Sequence, residues 1–198
     1  MEKNTLTASC RMMILGGSAG ALQVVIAILE QLPAAPEFPI VIVLHRGNPG
    51  DSVLADLLSF KTTVPIREVE DKEKIEKGVI YLAPADYHLL IESEKEFSLD
   101  YSEKINFSRP SIDVTFECAA AVFGEGVTGI LLSGANHDGS KGLVAIKKSG
   151  GITVVQHPDS ARMPVMPQSA IDTADPHYVL QNTELVAFVR SLATKSNF

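Results

Sequence analysis

Short apolar runs alternating with helix-length segments constrain this chain more than any other feature of its sequence. RMMIL (Arg11–Leu15), IVIVL (Ile40–Leu44), VTGILL (Val127–Leu132) and ITVVQ (Ile152–Gln156) have the length and composition of strands buried on both faces. Between them Leu22–Gln31, Ser52–Phe60, Ile112–Phe123 and Leu143–Ser149 repeat apolar residues at helical spacing. Such alternation predicts an α/β fold, a doubly wound and mostly parallel sheet with helices on both faces. Gly78–Ala83, Tyr87–Glu92 and Glu96–Tyr101 lie close together and predict antiparallel strands, a β-hairpin at one edge; Asn182–Leu192 reads as a closing amphipathic helix.

At 198 residues and 45% hydrophobic content, the chain is long enough for one well-filled core. The expected organisation is a short lead, residues 1–10, before a single domain, residues 11–198. No apolar run reaches the ~18 residues of a membrane span, and MEKNTLTASC lacks the apolar segment of a signal peptide. A net charge of −7 without a basic cluster argues against nucleic acid as partner. Cys10 and Cys118 are too few for a disulfide framework or a zinc site, and are expected buried and reduced, as in the cytoplasm.

In doubly wound sheets ligands bind beyond the carboxyl ends of the strands. Three loops predicted there carry reactive side chains: LGGSAGA with Ser18, LHRGNPG with His45, and LSGANHDGSKG with Asp138. Gly16-Gly17-Ser18-Ala19-Gly20 fits Gly-x-Ser-x-Gly, a tight strand-to-helix turn that exposes a serine. The N–H groups of Ala19 and Gly20 would then be available to an oxyanion. Serine and aspartate are also ordinary helix caps, and Ser18 and Asp138 both read that way as well. A serine hydroxyl needs a base and a base needs an orienting acid, and the three loops supply all three groups. His45, His137 and Asp138 lack the spacing of a zinc site, so no metal is expected.

The blocks ILGGSAGAL, IVLHRGNPG, VIYLAPADYHLL, SRPSIDVTFECAA, GILLSGANHDGSKGL and MPVMPQSAI, in this order, resemble the catalytic domain of the CheB-type chemotaxis protein-glutamate methylesterases, from Met13 to about Val189. The resemblance implies Ser18 as nucleophile, His45 as base and Asp138 as orienting carboxylate. It implies hydrolysis of glutamate γ-methyl esters on the cytoplasmic helices of chemoreceptors, releasing methanol, with deamidation of glutamines at such sites, and no cofactor. Arg46, Arg109, Arg162 and Met163 are the substrate-contact candidates. Members of this family commonly carry a receiver domain, for which residues 1–10 are too short; regulation would then come from a separate response regulator or receiver.

The chain departs from the family pattern twice. Ala19-Gly20-Ala21 replaces Thr-Gly-Gly, and Gly134-Ala135-Asn136-His137-Asp138-Gly139 replaces Gly-Met-Gly-x-Asp-Gly. Asn136 would keep a left-handed turn where the family has glycine. Two other readings stand beside the esterase: a catalytically weak relative that binds receptors or partners, and a serine hydrolase of another protein ester. An α/β-hydrolase order, Ser18, Asp138, then His157 or His177, would leave His45 without a role.

Overall fold

The structure is a computed structural model and describes residues 10–33, 36–46 and 53–194. The lead 1–9 and residues 47–52 of the LHRGNPG loop, with the first residue of the predicted helix Ser52–Phe60, lie outside the described residues. Seven parallel strands form the main sheet: β1 (Met12–Gly17), β2 (Ile40–Leu44), β3 (Ile66–Glu68), β4 (Ile80–Leu82), β7 (Val127–Leu131), β8 (Ile152–Gln156) and β9 (Tyr178–Leu180), in the order β3-β4-β2-β1-β7-β8-β9. β5 (His88–Ser93) and β6 (Glu96–Asp100) form the antiparallel hairpin as a separate two-stranded sheet. Gly78–Ala83 does not join that hairpin. Its centre, β4, pairs parallel with β2 and β3.

Alternation along the strands divides the core. Met12 and Ile14 of β1, with Val41 and Val43 of β2, meet α3 (Ile112–Phe123), α4 (Ser140–Lys148), α5 (Val165–Ala174) and the hairpin on one face. Met13, Leu15, Ile40 and Ile42 meet α1 (Ala21–Leu29), α2 (Val53–Ser59) and α6 (Asn182–Ala193) on the other. Every residue of β1, β2, β7 and β8 is buried, which is why these four strands are plain in the sequence. Among the described residues no helix is long and apolar enough to cross a membrane. Cys10 and Cys118 are half-buried rather than buried, and unpaired.

The sheet reverses direction of growth between β1 and β7, so the crevice for a ligand lies beyond their carboxyl ends. Gly16 brings α3 close to this point: a Cβ there would stand 2.5 Å from Ile112 Cγ2 and 3.3 Å from Phe116 Cζ. The first turn of α3 is thereby pressed against the end of β1.

Candidate active site

Parallel register places the first two groups together. Gly17 pairs with Leu44, and His45 N–H donates to Gly17 O at 3.2 Å, so Ser18 and His45 leave adjacent strands at one level. Ser18 N–H donates to Ser133 O at 2.9 Å, which ties the same turn to the end of β7. Ser18 does not cap α1. The N-cap is Gly20, at φ +86°, without a side-chain cap, and Ser18 Oγ has no hydrogen-bond partner among the described residues. The N–H groups of Ala19 and Gly20 likewise have none.

His45 Nε2 lies 2.8 Å from Asp138 Oδ2, with the imidazole 13% exposed and the carboxylate fully buried. An ionised carboxylate only accepts, so Nε2 carries a proton, and in the neutral imidazole it is Nδ1 that presents the lone pair. Asp138 does cap a helix, but not α4, whose N-cap is Gly139 in the left-handed region. Its acceptors serve the start of α3 instead. Oδ2 takes Ile112 N–H at 2.7 Å, and Oδ1 takes Asp113 N–H at 3.1 Å and Ser111 Oγ–H at 2.9 Å, while Gly139 N–H adds a further bond at 3.1 Å. Burial by itself would raise the Asp138 carboxyl, but the His45 bond and the two α3 amides outweigh it and hold the group below its ordinary range. One buried carboxylate thus orients the imidazole and satisfies a helix N-terminus.

The free nitrogen of His45 faces a second hydroxyl that sequence reasoning missed. Ser108 Oγ is 3.4 Å from His45 Nδ1 and accepts from Asn136 Nδ2 at 3.1 Å. Asn136 Oδ1 also accepts Asp138 N–H at 3.2 Å. Asn136 is not among the positive-φ residues, contrary to expectation. Its amide closes the turn by hydrogen bonding across it, so the backbone needs no left-handed residue. His88 is a structural histidine: it is buried, with Nδ1 accepting Ser111 N–H at 3.1 Å and Nε2 3.0 Å from Glu103 O.

Asp113 is a second buried carboxyl beside Asp138, accepting Gly142 N–H at 2.7 Å. Burial pushes it from 3.8 to about 6; the Gly142 bond opposes this and the negative Asp138 adds to it. A folded-state value above the unfolded one means that the native state binds the proton more tightly. The contribution of Asp113 to stability is therefore fully present below the ordinary carboxylate range and is lost as pH rises from about 4 to about 6. Asp113→Asn keeps an acceptor for Gly142 and removes the charge. Thermal unfolding should show the variant gaining on wild type as pH rises through this window; parallel curves would refute the assignment.

The remaining candidates separate. Arg46 Nη2 donates to Ala83 O at 2.6 Å and Glu68 Oε2 at 2.9 Å, joining the end of β2 to β3 and β4. Arg109 donates to Asp86, to Tyr101 O and to Ser102 O, and lies 4.0 Å over the Tyr101 ring. Both are engaged in holding loops. Arg162 is exposed and its Cβ limits the space above Gly20; Met163 is half-buried, its N–H donating to Ser133 Oγ. His177 accepts from Thr153, near the amino end of β8, and His157 takes Asp159 N–H. Neither engages Asp138, whose imidazole partner is His45, so the hydrolase-type order has no geometric support. Among the described residues no three His, Cys, Asp or Glu side chains converge as a metal site.

The family model described as CheB methylesterase matches residues 13–189. A Leptospira interrogans protein, provisionally named protein-glutamate methylesterase/protein-glutamine glutaminase, is 46% identical over 167 residues, covering 84% of this chain and 86% of its own length. A Thermotoga maritima protein of that name without the proviso is 31% identical over 175 residues; the match takes in 87% of this chain and 51% of that protein. The crystal structure of the Thermotoga maritima CheB methylesterase catalytic domain superposes with a TM-score of 0.87 at 31% identity, covering 93% of this chain and 99% of that one.

Proposed function

Because the chain belongs to the CheB methylesterase family, we propose that it hydrolyses glutamate γ-methyl esters on the cytoplasmic helices of chemoreceptors and releases methanol. The observation that carries this reading is the His45–Asp138 pair, 2.8 Å apart and level with Ser18 at the switch point of the sheet. Ser18 Oγ attacks the ester carbonyl as His45 Nδ1 takes its proton, and Asp138 stabilises the resulting imidazolium. The carbonyl oxygen, now negative, is received by the N–H groups of Ala19 and Gly20. Collapse expels methoxide, which leaves as methanol with the proton from His45. Water, deprotonated by His45, then attacks the acyl-enzyme and frees glutamate. A glutamine side chain passes through the same acyl-enzyme with ammonia as leaving group, consistent with the double name of the relatives. The setting would be the cytoplasm, and a separate receiver protein is the regulator this reading calls for.

The test is methanol release from a methylated receptor cytoplasmic fragment, with a fluorophosphonate probe to map the reactive residue. Release that needs Ser18, with the probe on Ser18, is the expected result. Labelling without release would assign the triad to another protein ester. Neither release nor labelling would favour a relative that binds receptors without chemistry.

A further inference from the structure

The turn that carries Ser18 is held by a residue outside the triad. Ser133, fully buried just beyond β7, bonds to the Ser18–Ala19 turn after β1, to Gln156 at the end of β8 and to Met163 before α5. Its carbonyl accepts Ser18 N–H at 2.9 Å. Its hydroxyl accepts Met163 N–H at 2.8 Å and donates its single proton to Ala19 O at 2.7 Å, the nearer of two carbonyls, with Met163 O at 3.3 Å. Its own N–H donates to Oε1 of buried Gln156 at 2.7 Å, and Gln156 Nε2 donates to Asn182 Oδ1 at 2.8 Å. The anchor of the turn is therefore itself fixed through β8 and the start of α6.

The bond to Ala19 O has a geometric consequence. In a trans peptide the carbonyl and the following N–H point in opposite directions. With Ala19 O drawn toward Ser133, Gly20 N–H is turned to the other side, where it meets no described acceptor. Gly20 adopts φ +86°, and a Cβ there would stand 2.8 Å from Ser133 Oγ and 2.5 Å from Arg162 Cβ. The hydroxyl and the glycine occupy one close approach. We propose that Ser133 is a positioning residue for the proposed esterase: it sets the Ala19–Gly20 peptide so that Gly20 N–H is preorganised as a donor to the oxyanion formed on Ser18. The inference rests on the reading of Ser18 as nucleophile and adds a residue that this reading does not name.

The test uses the full chain, 15N-labelled, before and after reaction of Ser18 with a fluorophosphonate, whose phosphoryl oxygen stands in for the oxyanion. In wild type the Gly20 amide proton should move downfield on adduct formation. In Ser133→Ala that movement should shrink, and the phosphonylation rate constant per active site should fall about 10- to 100-fold at unchanged probe affinity. A purely structural loss would lower the melting temperature and the active fraction, and would leave the rate constant of the folded fraction alone. A Gly20 amide that stays in place in the wild-type adduct overturns the proposal, and this holds even if Ser133→Ala does not fold. A wild-type rate constant in Ser133→Ala also overturns it. Failure of Ser18 to react at all removes the esterase reading and this inference together, and is told apart by the absence of any adduct.

Discussion

Asp138→Asn is expected to lower turnover, and the rate of fluorophosphonate labelling at Ser18, about 10⁴-fold, the scale seen when a triad carboxylate becomes an amide. The side chain keeps its shape but brings two N–H donors into a site surrounded by donors. Oδ2 receives both His45 Nε2–H and Ile112 N–H, and Oδ1 receives Ser111 Oγ–H and Asp113 N–H. If the new amide nitrogen faces His45, the imidazole must present a lone pair at Nε2, and its proton moves to Nδ1. The nitrogen meant to take the Ser18 proton is then already protonated. Labelling within tenfold of wild type would sink the role assigned to Asp138.

Asp138→Ala should in addition destabilise the fold by about 3–5 kcal/mol, because it strands several buried donors at the start of α3 at once. Urea or thermal unfolding reads this directly. The effect should weaken in acid: a carboxyl held low in the folded state contributes its stability above the ordinary carboxylate range and loses it as pH falls through the folded value. The proposed catalytic role and the structural role thus fall on one carboxylate. That makes Asp138→Asn, which can still accept at one oxygen, the cleaner probe of chemistry.

What the sequence revealed and what it hid follow from range. The central strands are legible because residues such as Ile14 and Ile42 are buried on whichever face they point to, so nearly every position is apolar, with Thr128, Thr153 and Gln156 as the buried polar exceptions. β3 and β9 have three residues each with none buried, and short half-covered strands leave no such mark. β4 was drawn to the hairpin by proximity in sequence, whereas its partners β2 and β3 are fixed by packing. The residue types of the three loops were visible one by one, and parallel register brought Ser18 and His45 level. Asp138 read as a cap for the helix that follows it, yet the helix it caps starts 26 residues earlier. No local pattern encodes that. Ser108 and Ser133 act through hydrogen bonds between distant loops and are hidden for the same reason; the serines of the SRPS and LSGAN segments are the available signal. Asn136 does stand out in the sequence, but as a left-handed turn residue, whereas its amide instead bonds Ser108 and Asp138 N–H.

Ser18→Ala should cut turnover about 10⁴- to 10⁶-fold, leaving the residual rate that oxyanion donors and binding alone can support. His45→Ala should fall by a comparable factor. The double variant should be no more than about tenfold worse than either single one, because a base without a nucleophile has no proton to take. Additive losses would mean that the two residues do not act as a unit. The same series separates Ser18 from Ser108, the hydroxyl 3.4 Å from His45 Nδ1. Ser108 is 7% exposed, too enclosed to meet a glutamyl ester on a protein helix, whereas Ser18 is half-buried just beyond the carboxyl end of β1. A fluorophosphonate adduct should therefore vanish in Ser18→Ala and persist in Ser108→Ala. The reverse pattern would move the nucleophile to Ser108 and leave the His45–Asp138 pair in place.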